Sequence, residues 1–308
     1  MKLAVYSHAA CHAHDPGPGH PESPSRIVAV MQALEDPACL PIHRIEAQRA
    51  TREQLERVHT PAHIDTVLGA TPASGYRYLD ADTVVSTGSV EAALRAAGAV
   101  CQAVDAVMSG GSQRAFCAVR PPGHHATASV AMGFCLFNNI AVGAAQALLV
   151  HGIERVAIVD FDVHHGNGTA DIFAADARVL YTSTHQSPLY PGTGARSQHG
   201  VGNLLHEPLP AGARSDQFRA AYETRILPAL DAFAPQLLMI SAGFDAHRLD
   251  PLANLDLETE DFAWVSRQLL AIAEKHCSGR VISSLEGGYS LTALRESTMA
   301  HINALSGS

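Results

Sequence analysis

Short aliphatic runs, each ending abruptly in polar residues, alternate along the chain with longer segments that carry apolar residues at helical spacing. Residues 1–6, 115–119, 156–159, 179–183, 237–241 and 281–285 read as strands, and the unbroken apolar runs among them suit burial on both faces of a parallel sheet. Residues 26–34, 86–109, 216–233 and 259–276 read as helices, with another ending at Val150 and a last one closing the chain. Pro24 suits a first helical turn, Thr51-Arg52-Glu53-Gln54 is a capping box, Pro61 begins a further helix, and Gly110-Gly111 stops the Ala-rich one. Strand and helix in regular alternation predict an α/β protein with a mostly parallel sheet and helices on both faces. No linker, low-complexity tract or internal repeat interrupts the pattern, so residues 1–308 are expected to form one domain.

The polar residues gather where the strands end. In a parallel sheet those ends share one edge, and residues distant in sequence converge on one crevice there. The run over residues 156–159 leads into Asp160-Phe161-Asp162-Val163-His164-His165-Gly166-Asn167-Gly168. Strand alternation would point Asp160, Asp162 and His164 the same way. Close carboxylates repel unless something positive lies between them, and aspartate oxygens with an imidazole suit a divalent metal such as zinc. Other strands lead to Arg120-Pro121-Pro122-Gly123-His124-His125, to Ala242-Gly243-Phe244-Asp245, and to Glu286-Gly287-Gly288-Tyr289. The same crevice would therefore hold Asp162, His164 and Asp245 as ligands, an imidazole pair and a tyrosine on a Gly-Gly turn. The histidines of the first loop, His8, His12, His14 and His20, are expected to be exposed, and His59 and His63 to be packing residues.

Composition narrows the partners. A formal net charge of -9 argues against a direct nucleic-acid partner, which needs clustered Lys and Arg. No stretch is long enough to span a bilayer. The 6 cysteines include no Cys-x-x-Cys pair and read as reduced, buried thiols of a cytoplasmic protein. Oligomeric state is left open, a homo-oligomer included.

Six motifs together resemble one family. Arg120 to His125, Gly133-Phe134-Cys135-Leu136-Phe137-Asn138-Asn139, Asp160 to Thr169, Tyr190-Pro191-Gly192-Thr193-Gly194, Ser241 to Ala246 and Glu286 to Tyr289 are similar to the motifs of the zinc-dependent histone deacetylase family. That family includes bacterial histone-deacetylase-like amidohydrolases and acetylpolyamine amidohydrolases. The resemblance runs from His20-Pro21-Glu22 to Tyr289. It implies an arginase-like α/β/α sandwich around an eight-stranded sheet, and hydrolytic removal of acetyl groups from acetylated lysine or another acetylated amine. An acetylpolyamine amidohydrolase or a longer-chain acyl-lysine deacylase is the alternative, and ferrous iron can take similar ligands. A non-catalytic binder and a binuclear ureohydrolase fit less well, since the His pair and Tyr289 are intact and further carboxylate ligands are missing.

By the same resemblance, Asp162, His164 and Asp245 hold one catalytic zinc. His125 is the general base, His124 its partner, Asp160 and Asn167 orient those two rings, and Tyr289 steadies the oxyanion. Gly133, Phe134 and Tyr190 belong to the substrate tunnel. Leu252 stands where some polyamine-selective relatives carry Glu, which favours acyl-lysine. Arg26 belongs to an inner cavity for the released acetate. Asp160, Asp162, His164, Ser183 and Thr184 match a structural potassium site, and Phe173, Asp176, Val179 and Asn203 a second, weaker one. His206 and Glu207 depart from the family's usual residues beside that second site.

Overall fold

The computed structural model describes residues 3–307; Met1 and Lys2, expected in the first strand, and Ser308 lie outside the described residues. In chain order the elements are β1 (Leu3–Ser7), α1 (Ala10–Ala13), α2 (Pro24–Glu35), β2 (Ile42–Glu46), α3 (Arg52–Glu56), α4 (Pro61–Leu68), β3 (Arg77–Tyr78), β4 (Val84–Val85), α5 (Ser89–Met108), β5 (Arg114–Cys117) and α6 (Asn139–Val150). They continue with β6 (Val156–Asp160), α7 (Asn167–Phe173), β7 (Val179–Gln186), β8 (Leu204–Leu209), and α8 (Ser215–Ala221), which passes through a π-helical turn into α9 (Leu227–Phe233). The chain closes with β9 (Leu237–Ala242), α10 (Thr259–His276), β10 (Val281–Leu285) and α11 (Leu291–Leu305).

One sheet has the order β2-β1-β5-β10-β9-β6-β7-β8, and every neighbouring pair is parallel. α5 and α6 pack together on one face; α2, α10 and α11 pack together on the other. This is the expected three-layer α/β/α sandwich. Every residue of β6, β9 and β10 is buried, which is why these strands read as largely apolar runs, with only small serines such as Ser283 and Ser284 inside them. Burying one aliphatic side chain there stabilises the fold by about 1.5–3 kcal/mol.

Besides the short antiparallel pair β3 and β4, two strands of this sheet escaped the reading of the apolar runs, and both are its edges. In β2 half-buried and exposed positions are mixed, and β8 contains Pro208. An edge strand leaves one row of backbone groups outside the ladder, so it tolerates proline and weak apolar patterning. The first loop also differs from expectation. It includes α1, and His14 is buried rather than exposed, with Nε2 3.0 Å from the Glu22 carboxylate and Nδ1 2.7 Å from the Ser89 hydroxyl. His8 and His20 are half-buried rather than exposed, and Cys39 is half-buried rather than buried. Thr51 and Gln54 form the capping box at α3, and His59 and His63 pack with ring centroids 4.8 Å apart. All six cysteines are free. Among the described residues no helix is long and apolar enough to cross a membrane.

The consequence for function lies in the strand order. β5, β10, β9 and β6 are consecutive neighbours at the centre of the sheet. The polar turns that follow them therefore meet above its middle.

Candidate active site

β6 ends at Asp160, so Asp162 and His164 stand on the loop beyond it. Strand alternation does not align them, contrary to expectation; a ladder of backbone-to-carboxylate hydrogen bonds does. Asp160 accepts from the Asp162 amide at 3.1 Å, and Asp162 accepts from the His164 amide at 2.9 Å. Asp245, on the loop after β9, accepts from the Val163 amide at 2.8 Å. The Gly287 amide, after β10, donates to Asp162 at 2.8 Å. Three loops thus fix two carboxylates against each other.

Asp162, His164 and Asp245 are buried and converge, one ligand atom from each lying within 4.8 Å of the others. His164 Nδ1 is 3.1 Å from an oxygen of each carboxylate. Burial disfavours charge on the His164 ring, yet Asp162 and Asp245 push its pKa up to about 10. Burial, with Asp162 beside it, pushes Asp245 up to about 7. Both shifts express a demand for positive charge at this point. A Cβ on Gly243 or Gly287 would collide with these carboxylates, so glycine is required at both places. Two carboxylates and one imidazole, with room kept by glycine, fit a zinc ion that retains an open position.

The imidazole pair stands beside this cluster, its ring centroids 4.0 Å apart. His124 Nδ1 lies 2.9 Å from Asp160, whose same oxygen accepts from the Tyr181 hydroxyl at 2.9 Å. Burial works against a charged His124, but Asp160 and Asp162 outweigh it and push the ring up to about 10. His125 Nδ1 lies 2.8 Å from the Asn167 carbonyl oxygen. Burial and the charge of His124 hold this ring well below the ordinary histidine value. An ionised partner on one ring and a neutral partner on the other give two imidazoles of opposite character.

Gly133, Phe134, Tyr190, Leu252 and Tyr289 line a cavity of about 220 Å³ together with His125 and His164. The Tyr190 ring meets His125 edge-on at 5.1 Å, and Phe134 meets Tyr289 edge-on at 5.9 Å. Phe134 adopts φ 68°, a left-handed conformation costly for a side chain of its size. A Cβ on Gly133, at φ 57°, would strike the His125 ring. Burial raises the Tyr289 phenol well above its usual range, so it keeps its proton. Arg26 is not in the wall of this cavity. It lies behind Tyr289, with its guanidinium 5.0 Å from that ring and donating to the carbonyls of Glu286 at 2.5 Å and Gly288 at 2.7 Å.

The two expected potassium sites differ in fit. Asp160 and Ser183 are paired across β6 and β7, and the neighbouring Thr184 hydroxyl is buried without a hydrogen-bond partner among the described residues. That orphaned oxygen is compatible with a cation. At the second site Asn203 turns its amide nitrogen inward, donating toward the carbonyls of Phe173 at 2.7 Å, Asp176 at 3.0 Å and Val179 at 2.9 Å. The Val201 amide, 3.1 Å from the Asn203 carbonyl oxygen, fixes that orientation. As placed, a donor occupies the centre where the cation was expected, so these four residues do not fit it.

Four further site residues were given no role by the sequence reading. Glu286 is fully buried; it accepts from the Gly123 amide at 2.6 Å and the His124 amide at 3.2 Å, and so holds the imidazole turn. Glu22 is buried between Arg120, Arg26 and His14. Asp82 and Leu189 line the cavity, and Asp82 accepts from the Gly133 amide at 3.2 Å. Only the motif around Glu22 and Glu286 hinted at the first two; nothing in spacing marked the others.

Residues 20–305 match the family model described as the histone deacetylase domain. A "Probable deacetylase" of Archaeoglobus fulgidus is 38% identical, the match covering 100% of this chain and 87% of the relative. A "Histone deacetylase-like amidohydrolase" of Pseudomonas aeruginosa is 39% identical, over 94% of this chain and 77% of the relative. The crystal structure of the HDA15 HD domain superposes with a TM-score of 0.95 at 36% identity, covering 100% of this chain and 88% of that one.

Proposed function

Because the chain belongs to the histone deacetylase family, we propose that it is a zinc-dependent amidohydrolase, acting as one catalytic domain, that removes acetyl groups from N-acetylated lysine side chains. The observation that carries this reading is the buried convergence of Asp162, His164 and Asp245 beside two imidazoles whose pKa values are driven in opposite directions.

Zinc, when held by Asp162, His164 and Asp245, supplies Lewis acidity toward the amide carbonyl and toward water. The remaining work falls to the chain. His125, neutral, donates Nδ1–H to Asn167 and so carries its lone pair at Nε2, ready to take a proton from water and return it to the leaving amine. His124, charged against Asp160, supplies fixed positive charge beside the reacting centre. The protonated Tyr289 phenol donates to the developing oxyanion, a contact whose removal typically costs about 10²–10³ in kcat. Phe134, Tyr190, Leu189 and Leu252 give the cavity apolar walls suited to an aliphatic chain ending in an amide. Leu252 offers no anchor for a second ammonium, which favours acyl-lysine over acetylpolyamine.

Acetate release from an acetyl-lysine peptide by zinc-loaded protein tests the reading, with acetylputrescine and longer acyl-lysines run in parallel. A higher kcat/KM on acetylputrescine would reassign the substrate. No turnover of any amide would end the proposal.

A further inference from the structure

The Gly287-Gly288-Tyr289 turn is intrinsically soft. Gly288 sits at φ 121°, and two successive glycines leave the following residue wide backbone freedom. An oxyanion donor needs the opposite, a fixed position, since a displacement of about 1 Å can cost on the order of 10²-fold in rate. The turn is held from two sides. Arg26 takes its carbonyl side through Glu286 and Gly288. Asp250, on the loop after β9, takes its amide side: one carboxylate oxygen accepts from the Tyr289 amide at 2.7 Å and the Ser290 amide at 3.3 Å. The other oxygen accepts from the Leu252 amide at 3.0 Å.

We propose that Asp250 is a positioning residue for the hydrolysis, clamping the loop that carries Tyr289 to the loop that carries the cavity wall Leu252. The inference rests on the role proposed above for Tyr289. Asp250 is 7% exposed and is 0 times an ion-pair partner of Lys, Arg or His among the described residues, so backbone amides alone compensate its charge. Those bonds are charge-assisted, and Ser290 stands at the amino end of α11, where a negative charge is favoured. One carboxylate therefore sets the separation between the phenol and the apolar wall facing the substrate chain.

The test is a double-mutant cycle on zinc-loaded protein, measuring kcat, KM and zinc content for wild type, Asp250→Ala, Tyr289→Phe and the pair. Asp250→Ala is expected to lower kcat on the order of 10²-fold with zinc retained, and to lower it little further in the Tyr289→Phe background. Asp250→Asn, which keeps the volume and can satisfy only one side of the clamp at a time, is expected to fall between wild type and Asp250→Ala; it also serves if the alanine variant does not fold. Equal losses in both backgrounds, or an unchanged kcat in Asp250→Asn, would overturn the inference while leaving an active wild type and its proposed function intact. A wild type inactive on every amide would instead remove the proposed function and this inference together.

Discussion

Asn167→Asp asks whether the two imidazoles differ because of their partners. The geometry is nearly the same for both rings, 2.8 Å from His125 to Asn167 and 2.9 Å from His124 to Asp160. Yet His124 is pushed up to about 10 while His125 is held well below 6.5. A carboxylate at such a distance raises an imidazole by about 1–3 pKa units, each worth about 1.4 kcal/mol. The sign follows from the base role. His125 works as the neutral ring, and that form is lost as pH falls through its pKa. In the wild type this acid limb lies below the ordinary histidine value; in Asn167→Asp it should move up by about 1–3 pH units. Profiles of kcat/KM against pH on an acetyl-lysine peptide, with zinc content checked at each point, read the shift directly. Superimposable acid limbs in two zinc-loaded, folded proteins would refute the idea that His125 stays neutral because burial and the charge of His124 act on it with no carboxylate at position 167 to oppose them.

Four further outcomes are expected. His125→Ala should lower kcat by about 10²–10⁴ while zinc stoichiometry stays at the wild-type level, read by elemental analysis beside steady-state kinetics. Asp245→Ala should lose the metal itself, because one of two buried carboxylates in the cluster disappears. Glu22→Gln leaves Arg120 and Arg26 buried beside a neutral partner and should cost about 3–5 kcal/mol in denaturant unfolding at neutral pH; burial opposes ionisation of Glu22, but Arg120 and His14 hold its pKa well below 4.5, so this difference should persist above that value and shrink as pH falls through the folded pKa. Asn203→Ala should leave three carbonyls facing a gap, with a Tm that gains more from potassium than the wild type's does.

The central strands are legible because burial on both faces leaves nothing more polar than a few serines, such as Ser283 and Ser284, before the strand ends, and their polar ends announce the crevice. Edge strands β2 and β8 gave no such signal, since an edge lacks one neighbour and β8 even admits Pro208. Motif residues such as Asp162 and Asp245 were visible, but the force that aligns them was misread. The strand stops at Asp160, and backbone amides from other loops do the aligning. His14 looked like a loop histidine because its partner, Glu22, is buried by arginines from other segments. The family resemblance implies a cation beside Asn203, but sequence does not say which end of its amide faces inward. Sequence spacing carries periodicity; it does not carry the long-range hydrogen bonds that decide these cases.

The adjacency of β5, β10, β9 and β6 also bears on when the proposed zinc could bind. Asp162 and Asp245 come from strands paired directly in the sheet but separated in the chain by α7, β7, β8, α8 and α9. The ligand set exists only once those intervening segments have been looped out and the middle of the sheet has closed, a contact of long sequence separation that forms slowly. Binding of the proposed zinc would therefore be a late event in folding, and its retention would report an assembled sheet centre, indifferent to fraying at the β2 margin.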